Sequence, residues 1–130
     1  MELMVSARMI EKELFMNAKE LARLVVDALE DKKANDIQII DISNVSVIAD
    51  YFIIASGNNR NQVQALADHV EEICGRAGYP IRQTEGYDSA NWILMDYSDV
   101  IVHVFSKEDR LFYDLERIWR DGVFIKREEL

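Results

Sequence analysis

The residues best suited to metal binding in this 130-residue chain are its two histidines and its one cysteine. A zinc site would need His69, Cys74 and His103 together, but their spacing matches no known zinc-binding pattern. Cys74 also falls on the apolar stripe of a predicted helix. We therefore expect structural roles for all three residues, with no bound metal and no cofactor.

A hydrolytic triad is a second possibility, because Ser56, His103 and either Asp96 or Asp99 supply its residue types. The chain has no G-x-S-x-G segment, in which a nucleophilic serine stands on a sharp turn. No nucleophile with a supporting motif accompanies His103, so the sequence predicts no catalytic residue. His103 is expected to be a buried histidine, either neutral or paired with a carboxylate of the adjacent turn or strand.

An anion-binding pattern of low specificity occurs in "ASGNNRN" at 55–61, where a glycine turn precedes a predicted helix. Free N–H groups and Arg60 could hold an anion near Ser56 and Gly57. The segment matches neither GxGxxG nor GxxxxGK[ST], and an asparagine helix cap explains it more simply. A strand followed by Ser-Gly weakly resembles nucleotidyltransferases, but these need paired carboxylates on the next strand, which offers only Glu85.

The elements that must position these residues alternate between helix and strand. Apolar spacing predicts helices at 17–34, 58–78 and 107–122, and strands at 36–43, 50–57, 79–85, 92–97 and 100–106. The order α-β-β-α-β-β-β-α predicts one α/β domain, a five-stranded mixed sheet packed with helices. If strands 50–57 and 79–85 are parallel neighbours, their crossover is right-handed. The predicted organisation is an N-terminal extension at 1–16, the domain at 17–122 and a C-terminal tail at 123–130.

Charge and composition limit the partners. Aspartate plus glutamate number 24 against 15 lysine plus arginine, which gives a net charge of −9. Such a surface repels nucleic acid and anionic membranes and attracts a basic protein. A single cysteine excludes an internal disulfide, and no apolar run approaches the ~20 residues of a membrane span. We expect a cytoplasmic protein without membrane binding or sequence-specific nucleic-acid binding.

The segment "WILMDYSDVIVHVF" at 92–105 predicts an antiparallel hairpin that is apolar on both faces. Three helices of about 10 Å width cannot cover both faces of five strands spaced ~4.8 Å apart, so some apolar surface should remain. No lysine or arginine lies between Arg82 and Lys107, so acids alone would rim this patch and suit a basic protein partner. A buried core with a solvated acidic rim explains the residues equally well.

A partner site at this hairpin would use a tryptophan anchor beside an acidic loop. The candidate partner-binding residues are Glu85, Asp88, Asn91, Trp92, Leu94, Asp96, Tyr97, Asp99 and His103.

Three segments together resemble the ribosomal silencing factor family, RsfS, also called the Iojap family. They are "LEDKKANDIQIIDIS", "ADYFIIASGNNRNQVQALADHVEE" and "EGYDSANWILMDYSDVIVHVFSKEDRLFYDLERIW". The resemblance covers roughly residues 17–120, in order, and leaves out the first dozen or so residues and the tail after Gly122. "DYFIIASG", "NWILMDYSDVIVHVF" and "FYDLERIW" are the segments most specific to the family.

The resemblance implies a function that the residue types alone do not name. Family members bind the large-subunit ribosomal protein L-fourteen where the two subunits meet, which blocks joining of the small subunit and slows translation in starvation. Organelle relatives act in ribosome assembly, some members are homodimers in isolation, and the family has no established catalysis. We therefore expect a translation repressor that acts by steric occlusion; the alternative is a small nucleotidyltransferase-like enzyme acting on a nucleotide or phosphoester.

Overall fold

The computed structural model describes the backbone of residues 2–109 and 122–130, and the side chains of residues 17–109 and 122–130. The elements are helices α1 (Glu2–Asp31) and α2 (Arg60–Arg76), and strands β1 (Asn35–Asp41), β2 (Tyr51–Gly57), β3 (Gln83–Glu85), β4 (Trp92–Asp96), β5 (Val100–Ser106) and β6 (Val123–Ile125). A 3-10 turn at Arg127–Glu129 ends the chain. Within these ranges, none of the helices combines the length and apolar character needed to cross a bilayer.

The strands form one mixed sheet in the order β3-β4-β5-β2-β1-β6. The β2–β5 pair is parallel, and all other neighbours are antiparallel. This arrangement confirms the predicted α/β class and the β4–β5 hairpin. The sheet has six strands, not the five predicted, because residues 123–125 of the predicted tail pair with β1 as an edge strand. The strands predicted at 50–57 and 79–85 are not neighbours, since β5 takes the parallel place beside β2.

The boundaries of three predicted elements differ from the structure. α1 begins at Glu2, so residues 2–16 of the predicted N-terminal extension continue the same helix. The strand predicted at 79–85 shortens to β3 because the Tyr79 N–H donates to the Cys74 carbonyl at the end of α2 and Pro80 has no N–H to offer a neighbouring strand. Most of the helix predicted at 107–122 lies outside the described residues, although 107–109 are helical.

Side chains of successive strand residues enter two separate cores, one on each face of the sheet. On the first face α1 and α2 pack against β1, β2, β4 and β5, and the buried strand residues there include Ile53, Ile93, Met95, Val102 and Val104. On the second face the buried residues are Ile40, Ile42, Ala49, Phe52, Ile54, Ile101 and Phe105, with Trp92 and Leu94 half-buried beside them. The hairpin is therefore apolar on both faces, as predicted, because successive strand residues point to opposite faces of the sheet.

The apolar surface expected on the hairpin is largely buried. Ile101 and Phe105 lie in the second-face core, and only Trp92 and Leu94 keep partial exposure. Of the two alternatives drawn from the sequence, a buried core describes Ile101 and Phe105, and Trp92 and Leu94 keep part of the expected apolar surface.

The C-terminal residues are held against α1. The Arg127 guanidinium bonds the Asp27 carboxylate, with Nε 2.8 Å from Oδ1, and lies 3.6 Å from Glu30. Ile125 and Leu130 pack against the first-face core. Residues 122–130 thus form one folded unit with the sheet, and β6 becomes its edge.

Candidate functional site

Most of the candidate partner-binding residues lie at two opposite ends of the sheet, and Leu94 and His103 pair with each other between these ends. Trp92 pairs with Phe105 at one end of β4, and Asp96 pairs with Ile101 at the other. Four residues of extended strand separate these ends by ~13 Å. We name the first the tryptophan end, which carries Glu85, Asp88, Asn91 and Trp92. We name the second the aspartate end, which carries Asp41, Asp50, Asp96 and Asp99. The structure therefore does not join the nine residues into one compact patch.

A rigid turn presents the acids of the tryptophan end. Gly86 has a φ of +80°, and a Cβ there would lie 2.2 Å from the Trp92 carbonyl oxygen, so glycine is required. The Ala90 N–H donates to the Gly86 carbonyl at 3.0 Å. The Tyr87 hydroxyl donates to Asp68 of α2 at 3.0 Å. These bonds fix the loop backbone and leave Asp88 exposed at its tip.

Trp92 and His103 form a hydrogen-bonded pair on the second face. The indole Nε1–H donates to His103 Nδ1 at 3.0 Å. The Trp92 ring stacks on Phe105 with centroids 5.1 Å apart, and Phe52 meets the His103 ring edge-on at 4.9 Å. The partner of the histidine is therefore a tryptophan, not the carboxylate considered from the sequence. Trp92 joins the hairpin to the core while its remaining surface stays accessible.

His103 is neutral and is a poor candidate for a general base. It is 4% exposed, and burial lowers its pKa from 6.5 to about 4. Because Nδ1 accepts the indole hydrogen, the ring proton resides on Nε2, which has no hydrogen-bond partner within the described part of the chain. This neutral state confirms the first of the two states expected for His103.

The residues of the suggested triad do not assemble. Ser56 pairs with Phe105 in the β2–β5 ladder, and its hydroxyl donates to the Asn35 carbonyl at 3.3 Å. Asp96 accepts the Ser98 N–H at 2.7 Å. Neither side chain bonds His103, whose Nδ1 is taken by Trp92. The nucleophile–base–orienter chain of a hydrolase is therefore not formed.

The suggested zinc ligands are also separate. His69 Nε2 of α2 lies 3.3 Å from the Asp31 carboxylate of α1, with the His69 side chain 17% exposed, and Cys74 is buried in the first-face core. His103 lies on the opposite face of the sheet. In residues 17–109 and 122–130 no three side chains of ligand type come together as a metal site. Burial raises the pKa of the Cys74 thiol to about 11, so the reactive thiolate is disfavoured.

Two N–H groups at the start of α2 are already used by the chain. The Asn59 side chain accepts the Gln62 N–H at 2.9 Å, and the Gln62 side chain accepts the Asn58 N–H at 2.6 Å. This reciprocal cap matches the asparagine cap favoured from the sequence. A Cβ on Gly57 would lie 3.0 Å from Val63 Cγ2, which indicates that Gly57 permits close packing of strand and helix. Arg60 is exposed beside this cap.

Carboxylates gather at the aspartate end. The Asp50 and Tyr51 N–H groups both donate to the Asp99 carbonyl, at 2.8 and 3.2 Å, which holds the loop before β2 against the β4–β5 turn. Partial burial raises the pKa of Asp50, and the negative charges of Asp99 and Asp41 raise it further. Asp99 and Asp41 therefore lie near enough to Asp50 for their negative charges to repel its carboxylate. This end therefore favours a cationic neighbour.

Tyr97, also a candidate contact residue, is buried instead. It is 6% exposed and belongs to the first-face core. Burial raises its pKa, and the neighbouring Cys74 and Glu71 raise it further. Its side chain stabilises the base of the turn and is not presented at the surface.

The sequence reasoning missed the exposed apolar residues next to the aspartate end. Val45, Val47 and Ile48 in the β1–β2 loop are exposed, as are Val123 and Phe124 on β6. A signal was present in "NVSVIAD", where β-branched residues crowd a segment between two strands. Residues 44–49, between the predicted strands at 36–43 and 50–57, were assigned no role from the sequence.

Comparisons with known proteins agree on one family. Residues 16–130 match the family described as ribosomal silencing factor during starvation, RsfS. A ribosomal silencing factor RsfS from Halalkalibacterium halodurans is 41% identical over 113 residues, or 87% of this chain and 97% of that protein. A crystal structure from Chromobacterium violaceum has a TM-score of 0.76 at 39% identity, covering 77% of this chain and 83% of that one. The Mus musculus protein named mitochondrial assembly of ribosomal large subunit protein 1 is 26% identical, covering 74% of this chain and 43% of that protein.

Proposed function

The chain belongs to the ribosomal silencing factor family, and from this membership we propose that it represses translation by occupying the large ribosomal subunit. It would bind the basic ribosomal protein L-fourteen at the face where the subunits meet, and its folded domain would fill space that the small subunit needs. The family match over residues 16–130 carries this proposal. The name of the mouse relative, which refers to assembly of the large ribosomal subunit, supports the choice of subunit.

The charge of the chain supports a protein partner over ribosomal RNA. A net charge of −9 repels the phosphate backbone around any ribosomal site. The same charge attracts a basic protein and speeds the association of the two proteins. The protein would act in the cytoplasm, where the subunits join.

The surface contacts that we propose come from both ends of the sheet. At the tryptophan end, Asp88 is exposed on the fixed loop and Trp92 is half-buried. At the aspartate end, Asp99 is exposed beside the β4–β5 turn. An interface on the order of 1,000–2,000 Å² would be enough for stable binding.

Subunit joining is the direct test. Purified large subunits, first incubated with the protein and then mixed with small subunits, should yield fewer joined ribosomes on a sucrose gradient than untreated subunits. Omission of the protein and addition of bovine serum albumin are the controls. Normal joining despite co-sedimentation of the protein with the large subunit would contradict occlusion.

A His103→Gln variant separates occlusion from chemistry. Glutamine retains a hydrogen-bond acceptor of similar reach for the Trp92 indole but cannot act as a general base. The variant should retain most of its anti-association activity because occlusion requires only a folded, bound domain. If it bound the large subunit normally and no longer prevented joining, the steric mechanism would be insufficient.

A further inference from the structure

We infer that the first half of α1, residues 2–15, pairs with the same residues of a second copy of this chain, with the two helices running in opposite directions. We call this segment the helical extension. The family match begins at residue 16, so the helical extension lies outside the part of the chain that the match covers. The inference concerns this helix and not the sheet, and it does not rest on the proposed function.

α1 is longer than the sheet that it covers. It runs unbroken for 30 residues, or ~45 Å, whereas the longest strands have seven residues, or ~23 Å. Its second half lies antiparallel to α2, because Asp31 lies 3.3 Å from His69 and Glu20 accepts the hydroxyl of Tyr79, beyond the end of α2, at 3.1 Å. Glu2 therefore lies ~27 Å along the helix axis from Glu20, past the end of α2.

The buried side of α1 continues along the helical extension as an apolar seam. Four apolar residues recur there at spacings of four, three and four residues: Leu3, Ala7, Ile10 and Leu14. At about 3.6 residues per turn, they fall on the side of α1 that carries the buried first-face residues Ala18, Leu21, Val25 and Ala28. Alternating steps of three and four residues are typical of helices that pack side by side. The helical extension therefore has the spacing that fits another helix.

The seam is complementary to itself when two copies run antiparallel. A two-fold axis between residues 8 and 9 places Leu3 of one copy opposite Leu14 of the other, and Ala7 opposite Ile10. The small side chain of Ala7 leaves room for the branched side chain of Ile10. A two-fold pairing uses the same surface on both copies, so it closes as a dimer and does not continue into a filament.

Charge favours a second copy in the antiparallel direction. Residues 2–15 contain three acids and two cations, so nearly all of the net charge of −9 lies in the rest of the chain. Parallel helices would bring the two acidic domains side by side, whereas antiparallel helices separate them by more than the Debye length of ~8–10 Å. An anionic membrane is the weaker occupant, because helices that lie on such membranes are rich in lysine and arginine.

The size of the contact predicts a reversible dimer. Two helices that touch over four layers of side chains bury on the order of 1,000 Å² in total, which is below the usual size of a stable interface. Because the helical extension continues α1, the helix does not have to nucleate when the copies bind. We therefore expect a dissociation constant in the micromolar range.

Polar substitution tests the seam. Ile10→Gln/Leu14→Gln places a good helix former at two seam positions, and Val5→Gln/Met9→Gln makes the matched change on the opposite side of the helix. In sedimentation velocity between about 1 and about 100 μM, the control variant should dimerise like wild type, and the seam variant should dimerise at least about tenfold more weakly. Circular dichroism should show equal helix content in all three proteins. A monomeric wild type, or a dimer that survives the seam substitutions, would overturn the inference.

Cross-linking tests the direction and keeps the seam itself largely intact. Leu3→Cys and Leu14→Cys chains, mixed and treated with a short bismaleimide, should give covalent dimers that contain one chain of each kind. Wild type is the control for Cys74, which is buried and therefore poorly reactive. Covalent dimers formed by Leu14→Cys alone, in preference to mixed dimers, would show parallel helices and overturn the inference.

Vesicle flotation tests the membrane as the occupant. Wild type should not float with vesicles of neutral and anionic phospholipids. Flotation that the seam substitutions abolish, with a monomeric wild type in sedimentation, would assign the seam to a membrane and overturn the inference. These assays contain no ribosomal subunits, so failure of the proposed function would leave their results unchanged.

Discussion

Acidification should destabilise the protein through His103, and the effect can be isolated by substitution. The side chain is 4% exposed, and burial lowers its pKa from 6.5 in the unfolded chain to about 4 in the fold. Between these two values the unfolded chain binds a proton that the folded chain does not bind. The free energy of unfolding therefore falls as the pH drops below 6.5, and the His103 contribution levels off below about pH 4.

The size of the effect follows from the two pKa values. Each pH unit between these two values lowers the free energy of unfolding by about 1.4 kcal/mol. The His103 contribution should therefore lower the free energy of unfolding by ~2 kcal/mol between about pH 7 and about pH 5. The full difference between the two pKa values corresponds to ~3 kcal/mol. Asp50 acts in the opposite direction, because its raised pKa lets the folded state bind a proton more readily as the pH falls. Comparison with a His103 variant removes this background.

Urea unfolding of wild type and His103→Gln, followed by far-ultraviolet circular dichroism at about pH 7 and about pH 5, measures the difference. Glutamine is neutral at both pH values, so the variant should lose ~2 kcal/mol less than wild type on acidification, whatever its stability near neutrality. Equal losses in the two proteins would show that His103 accepts a proton freely in the fold. In that case, the assignment of His103 as a buried, neutral partner of Trp92 would be wrong.

Substitutions at three further positions test the hairpin and its loop. Trp92→Phe should lower the free energy of unfolding by about 1–2 kcal/mol, because the buried His103 Nδ1 loses its hydrogen-bond donor while the new ring still stacks on Phe105. An unchanged urea midpoint would contradict this. Gly86→Ala should cost more than about 1 kcal/mol, because φ is positive and the Cβ would meet a carbonyl oxygen at 2.2 Å; a melting temperature equal to wild type would refute the steric argument. Ser98 has a φ of 72°, so Ser98→Val should lower stability by about 1 kcal/mol and Ser98→Gly should change it by less than about 0.5 kcal/mol. Equal thermal unfolding of these two Ser98 variants would show that the turn tolerates a β-branched residue.

The faces of the hairpin could be predicted from the sequence because the direction of a strand side chain depends on local geometry. Successive residues point to opposite faces wherever the strand lies in the sheet. Trp92 and Leu94 therefore share a face with His103, as the alternation indicates, and Ile93 and Met95 share the other. The N-cap of α2 could also be predicted from the sequence, because Asn59 and Gln62 interact within one helical turn.

The partner of His103 could not be predicted, although its burial could. A carboxylate partner for His103 was plausible, because several aspartates lie close to it in the sequence. The β4–β5 register instead places Leu94 opposite His103, and Trp92 two residue pairs further along on the same face. From there the indole N–H reaches Nδ1. A shift of the register by one residue would have turned Trp92 to the other face.

The sequence by itself determined the α/β class, the order of most elements, the faces of β4 and β5 and the acidic charge. Only the tertiary structure decided that β5 lies beside β2, that residues 123–125 join β1 as an edge strand, and that the candidate contact residues occupy two ends of the sheet. Periodicity and charge are properties of neighbouring residues along the chain. Strand order depends on backbone hydrogen bonds between distant segments, and every strand carries the same N–H and C=O groups whatever its side chains.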